Sequence, residues 1–255
     1  TFNVGAQTYT GAITGESSVD DTLSLSTGAD VSGGTIAHVE ALTLSSGASV
    51  RLSAQQNQHF TGAITAAGTG MGGETIAVSG DGAVTTLANI ENYTIADDAT
   101  DARTVTITQA DTNVTANSVT DAITFNAGAL TYTGTITGES TVDDTLSLDN
   151  GADVSGGAIA NVESLTLSSG ASVRLSAAQN QGFTGTVIAP GTGVSGEDIT
   201  IVGDGAVTTL VNIENYAIED DSTDVRTVTI TQANTNLTAN SVTDAITFNA
   251  GALTY

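Results

Sequence analysis

The chain repeats itself at an offset of 123 residues, and this constrains its fold more than any other feature. Thr1-Phe2-Asn3 returns as Thr124-Phe125-Asn126 and again as Thr247-Phe248-Asn249. Aligned without gaps, residues 1–123 and 124–246 agree at 95 positions and differ at 28. The expected organisation is therefore one copy over 1–123, a second over 124–246, and the start of a third over 247–255. Such a pattern reads as a window from a longer array, with further copies expected on both sides. The substitutions between copies are mostly mild, as in Val4 to Ala127, Ile64 to Val187 and Val114 to Leu237.

A finer pattern runs inside the unit. Short apolar–x–apolar cores occur at Leu146/Leu148, Leu165/Leu167, Ile199/Ile201, Tyr216/Ile218 and Ile246/Phe248. Alternation of this kind signals strands. From Ile123 the steps between cores are 23, 19, 34, 17 and 30 residues. The two long steps leave room for further coils around Phe183–Val187 and Val228–Ile230, giving five to seven coils per copy. Several cores run into a shared turn, as in Leu148-Asp-Asn-Gly-Ala-Asp-Val154 and Leu167-Ser-Ser-Gly-Ala-Ser-Val173, where Gly tolerates the bend. An acid stands just before most cores: Asp144, Glu163, Asp198, Glu214 and Asp244.

One coil written several times predicts an all-β chain folded as a parallel β-helix, or β-solenoid, built from tandem 123-residue repeats. With coils stacked at about 4.8 Å, one copy would be about 24–34 Å long. The alternative is a string of Ig-like β-sandwiches of about 100 residues each. It fits the repeat length but leaves the similarity between coils without a cause. Helix is disfavoured by the Thr, Val, Ile and Gly content. The polar run Leu52–Gln58, and its equivalent Leu175–Gln181, reads as a loop or a single turn.

Composition narrows the function. There is no cysteine, so disulfide scaffolds and Cys-ligated metal sites are excluded. Four Arg and no Lys cannot form a nucleic-acid-binding patch. No apolar run approaches the roughly 20 residues of a membrane span, so no membrane insertion is expected. The two His, His38 and His59, become Asn161 and Gly182 in the second copy. A catalytic base carried by every copy is thus missing, and no enzyme is expected. Parallel β-helices can nevertheless host carbohydrate chemistry through paired carboxylates.

With 28 acidic residues the formal charge is −24, and the two copies carry −11 and −13. Over the expected length of a copy this is about one charge per 2–3 Å, near the ~1.7 Å of duplex DNA. Such a surface gathers counterions. The candidate metal ligands are Asp20 and Asp21, Asp143 and Asp144, Asp97 and Asp98 with Asp101, and Asp220 and Asp221 with Asp224. The Gly-Asp-Gly turns at Asp81 and Asp204 are further candidates. Oxygen ligands without His or Cys suit Ca²⁺. Ca²⁺ or Mg²⁺ is expected to stiffen or cross-link the array. Asp is also favoured in turns for its own sake. The four Arg, at 51, 103, 174 and 226, sit in or beside strands and are expected to pair with acids on neighbouring coils. The aromatics are expected to stack internally.

The phrases Ile159-Ala-Asn-Val-Glu-Ser-Leu-Thr-Leu167 and Leu210-Val-Asn-Ile-Glu-Asn-Tyr216 resemble the Asn-[Val/Ile]-Glu phrases of bacterial surface-layer proteins and giant type-I-secreted adhesins. That resemblance implies a secreted or cell-surface bacterial protein, often linked to calcium, although the Gly-Gly-x-Gly-x-Asp calcium nonapeptide is missing here. The function expected is structural: a fibre, sheath, surface layer or adhesin stalk whose partners are copies of itself, end to end or side by side. The second class is a multivalent module for cell-surface glycans, and the third a β-helical enzyme acting on polysaccharide.

Overall fold

A computed structural model of the chain describes residues 1–68, 72–96, 102–117, 120–191, 196–219, 226–240 and 245–253. Two units are distinguished: Thr1–Thr124 with Gly134–Val142, and Phe125–Thr133 with Asp143–Tyr255.

In the first unit, Phe2–Val4, Thr22–Leu25, Ala41–Leu44 and Ile64–Thr65 stack as one parallel sheet. Ser49–Ser53, Thr75–Ser79, Asn92–Ala96, Asn113–Asn117 and Thr135–Thr137 stack as another. Shorter pairings join Ala12–Thr14 to Thr35–Ala37, and Val84–Thr85 to Arg103–Thr106. Sequence neighbours lie in different sheets, and partners in a sheet come from successive coils, so the fold is a parallel β-helix. The sandwich alternative requires antiparallel sheets, whereas every pairing among the described residues is parallel.

Register explains why small and β-branched residues dominate. Leu23, Leu42 and Ile64 form one column, and Val50, Ile76, Tyr93, Val114 and Ile136 another. Nearly all of these side chains are fully buried. The alternate positions, such as Ser24, Thr43 and Thr65, face outward. A column is complete only when the next coil covers it, as expected for a quasi-one-dimensional fold.

Strands of the first row begin at Thr22, Ala41, Ile64, Val84, Arg103 and Ile123, giving coils of 19, 23, 20, 19 and 20 residues. In the second unit they begin at Thr145, Ser164, Val187, Val207, Arg226 and Ile246, with the same series of lengths. The coils expected in the long steps are present as Val187–Ile188 and Arg226–Thr229. The uneven core spacings have a simple cause. Leu146/Leu148 and Leu165/Leu167 belong to one row, whereas Ile199/Ile201 and Tyr216/Ile218 belong to the sheet of Ser172–Ser176, Asp198–Val202, Asn215–Glu219 and Asn236–Asn240.

The 23-residue coil contains the one element that sequence reading underestimated. Ala54–His59 and Ala177–Gly182 are six-residue α-helices, longer than the loop or single turn expected. Ser53 and Gln56 form a capping box, with Gln56 N–H donating to Ser53 Oγ at 3.1 Å and Ser53 N–H to Gln56 Oε1 at 2.8 Å. Gln56 Nε2 then donates to the carbonyls of Val31 and Gly34, on the preceding coil. Asn57 Nδ2 donates to the Thr85 carbonyl, on a following one. Ser176, Gln179 and Asn180 repeat these bonds in the second unit. Each helix is a clamp across coils.

Candidate functional site

The corners that precede strands carry the chemistry. Asn161 and Asn212, which open the Asn-Val-Glu and Asn-Ile-Glu phrases, have φ of 52° and 63°. This left-handed conformation is one Asn tolerates better than other non-glycine residues. Val162 and Ile213 follow as buried anchors. The Glu then bonds down the stack: Glu163 Oε2 accepts the N–H of Asp144 at 3.2 Å, and Glu40 Oε2 accepts that of Asp21 at 3.1 Å. The phrase is thus a corner that turns the chain, anchors it and ties it to the previous coil.

These bonds decide what Asp21 and Asp144 do. Asp21 Oδ2 accepts the Glu16 N–H at 2.7 Å, and Asp144 is fully buried. Their neighbours Asp20 and Asp143 are exposed. The Asp21 carboxylate thus serves the corner, and Asp144 is buried where its neighbour Asp143 is exposed. Asp97, Asp98, Asp101, Asp220, Asp221 and Asp224 lie outside the described residues. Asp81 and Asp204 sit in exposed turns flanked by glycines at positive φ, Gly80 and Gly82, and Gly203 and Gly205. Among the described residues, no group of three or more His, Cys, Asp or Glu side chains is placed to hold a metal ion.

The acids that the fold does bring together are Glu74 and Glu91, and their equivalents Glu197 and Glu214. Glu74 is fully buried. Its Oε1 accepts the N–H groups of Gly47, Ala67 and Gly68 at 3.2, 3.1 and 2.9 Å, and its Oε2 that of Gly68 at 2.9 Å. A Cβ on Gly68 would stand 2.5 Å from Glu74 Oε2, so only glycine lets this amide approach. Burial raises the Glu74 carboxyl, but the amides outweigh it and hold the group below its ordinary value. Glu91, one coil on, accepts the Glu74 N–H at 3.1 Å. Burial, joined by the Glu74 carboxylate beside it, pushes Glu91 above its ordinary value. Sequence reading picked Asp198 as the acid before the Ile199 core. The buried acid is its neighbour Glu197, and strand parity alone separates them: Glu197 shares the inward phase of Ile199.

The arginines fall into two classes. Arg174 pairs with Glu219 at 2.8 Å and Asp153 at 3.2 Å, and the Glu219 bond, then Asp153, hold its guanidinium above its usual range. This is the expected pairing between coils. Arg51 has Asp30 across an isolated bridge but Ala96 where the second copy has Glu219, and it is exposed. Arg103 and Arg226 are buried, and Arg103 donates to the Gly80 carbonyl. Phe125 and Tyr132 are fully buried, as expected of structural aromatics.

On the outer face of the second unit, Ser172, Asp198, Thr200, Asn215, Asn236, Thr238 and Asn240 line an open groove of about 320 Å³. Asn236 Nδ2 donates to Asn215 Oδ1 at 2.9 Å, a side-chain ladder along the stack. The first unit has the same rung between Asn113 and Asn92 at 3.0 Å. Among the described residues no helix is long and apolar enough to cross a membrane. Comparison with protein-family models, with curated proteins and with solved structures yields no match.

Proposed function

We propose that this chain is a non-enzymatic structural repeat of an extracellular fibre, sheath, surface layer or adhesin stalk, and that it associates with copies of itself. The observation that carries this reading is the regularity of the coil. Both units repeat one series of coil lengths, one helical clamp and the same Glu-to-Asp corner bond. Residues that chemistry would use are spent on cohesion. The buried carboxylates accept backbone amides, Arg174 ties coils together, and the buried amides of Gln56 and Asn57 clamp their neighbours. The acidic exterior and the resemblance of the Asn-Val-Glu phrases favour placement outside a bacterial cell, on its surface or secreted. The acidity also favours divalent cations as the counterions of assembly.

Negative-stain electron microscopy in millimolar Ca²⁺ and in chelator tests this. Filaments or sheets support a self-associating structural polymer. Particles that stay single at high protein concentration in both conditions refute self-association. A second reading rests on the groove over Asn215 and Asn236: repeated polar rungs suit a multivalent site for cell-surface glycans, whose avidity would grow with copy number. A glycan screen in which Asn215→Ala and Asn236→Ala abolish capture would favour that reading.

A further inference from the structure

We propose that Glu197, Glu214 and Thr235 form a buried cation site that takes one hard divalent ion of the Ca²⁺ type. The three residues precede the strands Asp198–Val202, Asn215–Glu219 and Asn236–Asn240, which are in register through Asp198, Asn215 and Asn236. They therefore occupy one phase of three successive coils, spaced at about 4.8 Å. Each is two residues before an inward side chain, Ile199, Tyr216 or Leu237, so strand alternation aims all three into the interior. Their exposures are 0%, 7% and 7%. Glu197 Oε2, Glu214 Oε2 and Thr235 Oγ1 are buried with no hydrogen-bond partner. Two carboxylate oxygens and a hydroxyl oxygen, in one phase of the stack and without a hydrogen-bond partner, suit a cation.

The first copy shows why the second is different. Glu74 takes amides on both oxygens, one of them from Ala67 at 3.1 Å, and Glu91 Oε2 takes the N–H of Glu74. The residue equivalent to Ala67 is Pro190, the only proline in the chain. Proline has no N–H. Glu197 keeps donors on Oε1 alone, from Gly170 at 3.1 Å and Gly191 at 2.7 Å. Proline at 190 removes one donor from the Glu197 carboxylate, and the Gly191 amide, whose equivalent Gly68 reaches both oxygens of Glu74, bonds Oε1, so Oε2 stays open. Oxygen ligands without nitrogen or sulfur select a hard cation. The three side chains supply part of the six to eight oxygens such an ion takes, and water supplies the rest.

This site is independent of self-association and of the exposed aspartates. The test is titration of Ca²⁺ alone into the chelator-treated full chain at ~0.15 M salt, where surface counterions are screened. It is read by calorimetry and by Tyr-sensitised luminescence of Tb³⁺, Tyr216 being two residues from Glu214. One ion per chain is expected to bind tightly. Glu214→Gln and Pro190→Ala are each expected to weaken it by ~10-fold or more, while Glu91→Gln leaves it unchanged. Pro190→Ala restores a donor without touching a ligand, so it remains informative if Glu214→Gln fails to fold. Unchanged affinity in Pro190→Ala and in folded Glu214→Gln overturns the site.

Discussion

Deleting a single oxygen, in Tyr93→Phe, tests whether the helical clamps hold the coils together. Tyr93 is 1% exposed, and its hydroxyl has two partners. It accepts the Leu87 N–H at 2.8 Å and donates to Asn57 Oδ1 at 3.4 Å. Asn57 in turn holds the Thr85 carbonyl at 2.8 Å. Phenylalanine keeps the ring and its packing, so the apolar contribution cancels. What changes is the Leu87 N–H, left buried without an acceptor, at a cost of about 1–3 kcal/mol. The bond to Asn57 is long and adds little. A loss of ~2 kcal/mol corresponds to a fall in Tm of ~4–8 °C for a cooperative unit of this size. Urea unfolding followed by circular dichroism should show a lower midpoint at unchanged slope. Tyr216→Phe should cost the same, because Tyr216 bonds Leu210 N–H at 2.8 Å and Asn180 at 3.3 Å. The two sites share no partner, so the double variant should lose the sum. A loss below ~0.5 kcal/mol at either site would refute the argument. It would mean that water reaches the hydroxyl and that the helix is not seated on the coil beside it.

Three further outcomes follow from the corners and clamps. Glu91 is raised above its ordinary value, so the stability it contributes is present at low pH and lost as pH rises through its folded value. Glu91→Gln should therefore be more stable than the parent at pH 7, with the advantage vanishing at acid pH; thermal scans across pH 4–8 that show no such convergence would refute the raised Glu91 carboxyl. Gln56→Ala removes a side chain that bonds Ser53 N–H and two carbonyls, and should cost ~2–3 kcal/mol by urea unfolding; a loss no larger than that of an exposed capping residue would refute its role as a clamp. His38 holds φ 54° where the second copy has Asn161, so His38→Asn should gain up to ~0.5 kcal/mol, and a destabilised variant would place the corner in another conformation.

The parallel stack was legible because its physics is local and repeated. Alternation marks strands, coil-to-coil similarity requires that equivalent residues meet, and Gly151 and Gly170, at φ 91° and 67°, stand where the shared turns need them. Coil length was harder to read. Both rows of strands carry the same apolar–x–apolar alternation, so Leu165 and Ile199 look alike although they line different sheets. The helices were hidden for a different reason. Ser53 and Gln56 spell a capping box, but in a six-residue helix the periodicity that announces a helix has no room to develop.

Site chemistry was legible only in part, because sequence records which residues are acidic and not which way they face. Asp20 and Asp21 look equivalent, yet one faces solvent and the other accepts an amide. Glu197 and Asp198 differ by one residue and therefore by the whole thickness of the coil wall. The most informative position carried no charge at all. Pro190 differs from Ala67 by a missing N–H, and only the fold reveals that this N–H is aimed at a buried carboxylate. In a repeat this close to identical, most substitutions leave the corner bonds intact. The ones that remove a donor, or add an acid as Glu219 does opposite Arg174, are where two copies of one architecture acquire different chemistry.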